Sequence, residues 1–213
     1  MRPIEDLQRV SDAQQRFLRA MDDLSDATVA APSLLPGWTV GHVLAHVARN
    51  ADSHVRRTEA AVRGEMVDQY PGGLPGRADE IDRTARGTAR QLRDDVARSA
   101  ETLASTWQET PDEAWSQVTR DVGGRERPLH RLPSRRWQEL EVHVVDLGTS
   151  ITHRDWPAEF VDDWLPRLRL DLAGRLPPRV DPPEPGVLDG RDELAWLYGR
   201  LQRPDLPVLV PWA

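Results

Sequence analysis

Apolar residues recur at helical spacing through Ile4, Leu7, Val10, Phe17, Leu18, Met21 and Leu24, with charged residues between them, and predict a first helix over residues 4–29. Pro32, Pro36 and Gly37 interrupt the pattern, and Thr39 is placed as the N-cap of a second helix from Val40 to about Arg63. Residues 64–76 hold Pro71, Gly72, Gly73, Pro75 and Gly76 and predict a loop, followed by a third helix from Ala78 to Trp107. Thr110, Pro111 and Asp112 end that helix. Residues 113–133, with Val118, Val122, Gly123 and Gly124, read as a short hairpin or loop excursion. Trp137, Leu140, Val144 and Leu147 then restore helical spacing from Ser134 to about Ser150. Four long helices with one extended connection predict a helical bundle.

Beyond Trp156 the sequence turns to proline, at Pro177, Pro178, Pro182, Pro183 and Pro185, and closes on an apolar run from Leu206 to Pro211. This shift divides the chain into a bundle domain, 1–154, and a small α+β domain, 155–213. No run of about 18 apolar residues occurs, and the first ten residues are too polar for a signal peptide, so a cytoplasmic protein with no membrane association is expected. The net charge of -7 argues against a nucleic-acid partner, which needs a concentrated positive surface. Its 28 basic residues are all arginine, a bias that points to a GC-rich coding sequence. The chain has no cysteine, which excludes disulfides, thiolate metal ligands and a protein thiol nucleophile. Any thiol chemistry must therefore come from a cofactor.

Glu139 and His143 are four residues apart, so on a helix their side chains leave the axis about 40° from each other and can converge on one ion. Glu141 points to nearly the opposite side. A solvated surface pair has the same spacing and is the alternative reading. The second helix carries His42, His46, Asn50 and His54 at successive four-residue steps. A solvent-facing edge accounts for His42 and His54, whereas His46 lies inside the apolar run Val43–Val47, where an unsatisfied imidazole is costly. Two histidines with one carboxylate suit Zn²⁺ best among divalent metals, and three protein ligands leave positions open for water or substrate. Asp146, three residues after His143, either orients an imidazole from behind or bonds within its own helix end.

Leu35-Pro36-Gly37-Trp38-Thr39 leading into His42-Val43-Leu44-Ala45-His46-Val47-Ala48-Arg49-Asn50, followed by Arg136-x-x-Glu139-x-x-x-His143-Val144-Val145-Asp146-Leu147-Gly148, resembles the mycothiol-dependent maleylpyruvate isomerase family, part of the DinB-like bundle superfamily. The resemblance covers residues 1 to about 150 and continues more weakly beyond. It implies a mainly α fold: a DinB-like four-helix bundle of up-down-down-up order with a metal at its open end, and a small C-terminal α+β domain. The family's metal ligands fall on His46, Glu139 and His143. His42 matches a family histidine that is not counted among them.

The implied cofactors are a divalent metal and mycothiol, and the implied partners are a low-molecular-weight thiol and a small dicarboxylate or other electrophile. The implied reaction is isomerisation of maleylpyruvate to fumarylpyruvate: thiol addition makes the double bond single, rotation follows, and thiol loss restores the trans alkene. The metal either lowers the thiol pKa or polarises the substrate's oxygens. Arginine suits a dicarboxylate because its planar fork holds a carboxylate through two hydrogen bonds. Arg77, beside the Gly-Pro loop, and Arg200, in Tyr198-Gly199-Arg200, are the candidates. Two other readings stand beside this one: a mycothiol S-transferase acting on another electrophile, and a non-catalytic binding protein that kept the bundle.

Overall fold

The structure is a computed structural model and describes residues 1–184 and 186–210; Pro185 and Pro211, two of the tail's prolines, lie outside the described residues. The chain divides into two compact units, Met1–Gly148 and Thr149–Ala213, near the boundary drawn at 154/155 from composition.

The first unit holds α1 (Ile4–Ala20), α2 (Asp26–Ala30), α3 (Val40–Val62), α4 (Gly73–Thr84), α5 (Ala89–Glu109) and α6 (Leu132–Asp146). Helix α3 packs on α5 and α6, and α1 packs on the same two partners, so these four form a closed ring. Their shared core includes Phe17, Val43, Leu44, Val47, Leu92, Val96, Leu103, Trp137 and Leu140, all almost fully buried. Burying side chains of this size supplies roughly 1.5–3 kcal/mol each. The mainly α bundle is as the periodicity predicts.

Two expected helices are each broken. Residues 4–29 form α1 and α2, separated at Met21–Leu24, because the Ser25 hydroxyl accepts the Thr28 N–H and caps a new helix there. The run 78–107 is cut at 85–88, where the Thr88 hydroxyl accepts the Gln91 N–H and the Gln91 side chain accepts the Thr88 N–H, a reciprocal cap that starts α5. Helix α4 in turn begins inside the expected loop, at Gly73, after Gly72 in a left-handed conformation. Pro75 sits in its first turn, where no N–H is needed. Thr39 caps α3 as expected, with His42 completing its box.

The excursion between α5 and α6 is a hairpin of β1 (Val118–Arg120) and β2 (Glu126–Pro128), pairing Thr119 with Arg127. Gly124, at φ 78°, makes its turn.

The second unit is built on α7 (Ala158–Leu170) and α8 (Gly190–Leu197). Trp156, Phe160, Trp164, Leu194, Leu197 and Tyr198 form its core. The β part expected of 155–213 is not found among the described residues, and the one ladder lies in the first unit. Proline cannot donate to a ladder, and the described residues around Pro177, Pro178, Pro182 and Pro183 form no strand. No helix among the described residues is long and apolar enough to cross a membrane.

Candidate metal centre

Helix α3 carries His46 on the face that meets α6, where Val43, Leu44 and Val47 fix the helix against its neighbours. Helix α6 presents Glu139 and His143 one turn apart toward the same point. His46 Nε2 lies 2.8 Å and His143 Nε2 3.3 Å from Glu139 Oε2. The donor atoms of the three side chains all fall within 4.8 Å of one another. His46 is buried and the other two are half-buried, so the cluster is reachable from one side.

Hydrogen bonds fix both imidazoles. Asp146, fully buried, accepts from His143 Nδ1 at 2.8 Å and turns His143 Nε2 toward Glu139. Arg77 Nη2 lies 2.9 Å from His46 Nδ1, and His46 Nε2 faces Glu139 Oε2. Burial, with the nearby His143 charge, overcomes the Glu139 hydrogen bond and lowers the His46 pKa to about 4. For His143 burial again opposes the charged form, but hydrogen bonds to Asp146 and Glu139 outweigh it and raise the pKa. Burial of Glu139 is likewise outweighed, by its bonds to His143 and His46, and its carboxyl is held well below the usual range.

Beside this cluster Arg77, one of the two arginines nominated from the sequence, is accompanied by Trp38 and Tyr70, which were not nominated. The Arg77 guanidinium carbon lies 6.0 Å from the Trp38 ring centroid and 5.6 Å from that of Tyr70. Trp38 also packs beside His46, at 5.6 Å between ring centroids. The signal for Trp38 was its place in the Leu-Pro-Gly-Trp-Thr segment, whereas Tyr70 sat unremarked at the edge of the Gly-Pro loop. Arg57 and Arg136 are buried, and among the described residues neither has a carboxylate partner. Burial lowers both to about 10. Among 28 arginines nothing in the sequence singled out Arg57.

The remaining candidates fall elsewhere. His42 serves the α3 cap, its Nδ1 bonded to the Thr39 N–H and hydroxyl. His54, expected at a solvent edge, is buried, because α3 is enclosed by α4, α5, α6 and β1 and has no solvent side along that stripe. Glu141 faces away from the cluster, as the spacing required, and accepts from Trp137 Nε1 and Arg16. Arg200 belongs to the second unit, where it follows α8 and donates to the Tyr198 carbonyl.

The donor set fits a divalent cation. Glu139 Oε2 lies 2.8 and 3.3 Å from the two imidazole nitrogens, and the three donor atoms fall within 4.8 Å of one another, close enough to share one ion of the kind that takes imidazole and carboxylate ligands, while Asp146 beside His143 Nδ1 leaves Nε2 facing the cluster. Fold and site thus define a class: a four-helix bundle with a three-donor cluster of metal-binding type between two of its helices.

The model of the mycothiol maleylpyruvate isomerase N-terminal domain matches residues 10–148, and the chain belongs to that family. Two solved structures share its fold, the mycothiol-dependent maleylpyruvate isomerase and a histidine-to-alanine mutant of it. Each is 23% identical to this chain, with a TM-score of 0.85, and the match covers 100% of this chain and 98% of theirs. No curated protein matches the sequence.

Proposed function

We propose that this chain is a metal-dependent isomerase that converts maleylpyruvate to fumarylpyruvate with mycothiol as its thiol. The observation that carries the proposal is the convergence of His46, Glu139 and His143 on one point within a bundle of this family. The chain's lack of cysteine supports an external thiol. Zinc is the divalent ion that best suits the donor set, and when bound it supplies Lewis acidity toward the substrate's oxygens or the thiol.

The chain's own residues do the rest. His46, Glu139 and His143 hold the ion, and Asp146 keeps the His143 ring aimed. Arg77, which has no carboxylate partner among the described residues, takes a substrate carboxylate through its planar fork. The Trp38 and Tyr70 rings lie 6.0 and 5.6 Å from that guanidinium.

The test is the absorbance change of maleylpyruvate with zinc-loaded protein, in the presence and absence of mycothiol. The expected outcome is isomerisation that needs the thiol and falls to background in His143→Ala. Zinc uptake with no isomerisation would contradict the isomerase and point to thiol transfer onto another electrophile.

A further inference from the structure

Arg57 and Arg136 bring two positive charges into the interior of the bundle, and the described residues give them only neutral acceptors. Arg136 Nη1 donates to the Val47 carbonyl at 2.7 Å and to Asn50 Oδ1 at 2.9 Å, and its Nη2 donates to Gln14 Oε1 at 3.0 Å. Arg57 donates to the Ser53 and Arg120 carbonyls at 3.4 and 3.3 Å and to His54 Nδ1 at 3.0 Å. Both stay cationic at neutral pH, although burial lowers them to about 10. The carboxylates whose charge reaches the pair are each engaged elsewhere: Glu139 faces His46, Asp52 accepts from Arg49, and Asp121 accepts from Arg127. A buried charge without a counterion is costly.

Around the two arginines, three buried nitrogens have no hydrogen-bond partner among the described residues: Arg136 Nε, His54 Nε2 and Gln14 Nε2. All three are donors. A guanidinium nitrogen cannot accept, and Gln14 gives its oxygen to Arg136, which leaves the amide nitrogen over. His54 Nδ1 accepts from Arg57, so the neutral ring carries its proton on Nε2. Arg136 links them: Gln14 bonds it from α1 and Asn50 from α3, His54 follows Asn50 by one turn, and the Arg136 charge acts on the His54 ring. A water molecule among these groups would still have to place its own two protons on acceptors, whereas an anion uses donors alone.

We propose that this cluster is a binding site for one small inorganic anion of the chloride class, held against Arg136 Nε and offsetting the charge of the Arg57–Arg136 pair. The inference goes beyond the isomerase reading and does not depend on it. Gln14 and Trp107 also line an open cavity of about 620 Å³ between α1 and α5, and the His54 ring packs on Trp107 at 5.8 Å between ring centroids. The donors therefore stand one layer of side chains behind that cavity, a path for a single-atom ion and a barrier to a bulky one.

Two measurements on the full chain test the site. The first is urea unfolding at fixed ionic strength, with sodium chloride replacing sodium gluconate, whose anion is too large for the cluster. The ratio of folded to unfolded protein is expected to follow a single-site curve, rising about tenfold at a chloride concentration ten times the dissociation constant. Arg57→Met removes one buried cation, leaves the carbonyl partners of Arg136 in place, and is expected to lose that response. A wild type with no gain from chloride, or a variant that keeps all of it, would overturn the site. The second is anomalous scattering from wild-type crystals grown in sodium bromide, which does not depend on the variant folding. One bromide is expected beside Arg136 Nε. Ordered water at that nitrogen, or bromide found only at the His46, Glu139 and His143 cluster or on surface arginines, would overturn the proposal.

Discussion

His46 and His54 lie two turns apart on α3, both buried, yet their partners give them different work. His46 faces Glu139 and His143, whereas His54 Nδ1 accepts from Arg57 Nη2 at 3.0 Å, and its Nε2 has no partner among the described residues. Burial, reinforced by the Arg57 and Arg136 charges, puts the His54 pKa well below 6.5. The sign follows from which state binds the proton. Below about pH 6.5 the unfolded chain protonates this imidazole and the folded chain does not, so stability falls with pH in that range and is unaffected above it. In metal-free protein His46, lowered to about 4, adds a second such contribution, and His143, whose pKa is raised, opposes the two. In chelator-treated samples, urea midpoints between pH 7 and 5 are expected to fall. In His54→Gln the slope below about pH 6 should be shallower by about 1.4 kcal/mol per pH unit. An unchanged slope would show that His54 is charged in the fold. From sequence, the four-residue stripe established only that these imidazoles share a face. Which of them meets water depends on the helices around α3, and the spacing within one helix carries no such information.

At the scale of elements, the first turn of α3 is where the site is anchored. It is capped by Thr39 and His42, and Gly41 lies against two backbone carbonyls. A Cβ at Gly41 would stand 2.7 Å from the Ala85 oxygen and 3.1 Å from that of Val29. Alanine is the better helix former by about 1 kcal/mol, but here it must push α3 off the α4–α5 corner and off α2. Gly41→Ala is expected to lose about 1–3 kcal/mol, as overpacked cores do, read from the urea midpoint. A gain in stability would mean that α3 shifts freely. The long helices were legible because their 3.6-residue periodicity is strong. Their breaks were less so, since Ser25 and Thr88 interrupt runs whose apolar spacing continues past them, and only the Thr-x-x-Gln sequence marked the second. The hairpin was marked by its glycines. The tail's β content was over-read from extended, proline-rich sequence that forms no ladder among the described residues.

For the whole molecule, the candidate site joins residues 93 apart in sequence, His46 and Glu139, and helix spacing alone could not pair them. The spacing nominated Glu139 with His143, the apolar run around His46 nominated that imidazole, and the family resemblance implied all three as metal ligands. The fold then brings the three together because α3 and α6 are neighbours in the ring. The contact between Arg77 and His46 had no sequence signal, since it depends on where α4 starts after the Gly-Pro loop. The central claim is that this cluster binds a divalent ion, and everything proposed about thiol and substrate rests on it. The most direct test is the metal content of purified protein, wild type beside His46→Ala and Glu139→Ala, after zinc loading and removal of free metal. The account predicts about one zinc per chain in the wild type and little or none in either variant, with all three folded by circular dichroism. Wild type without zinc, or zinc retained by both variants, would contradict it.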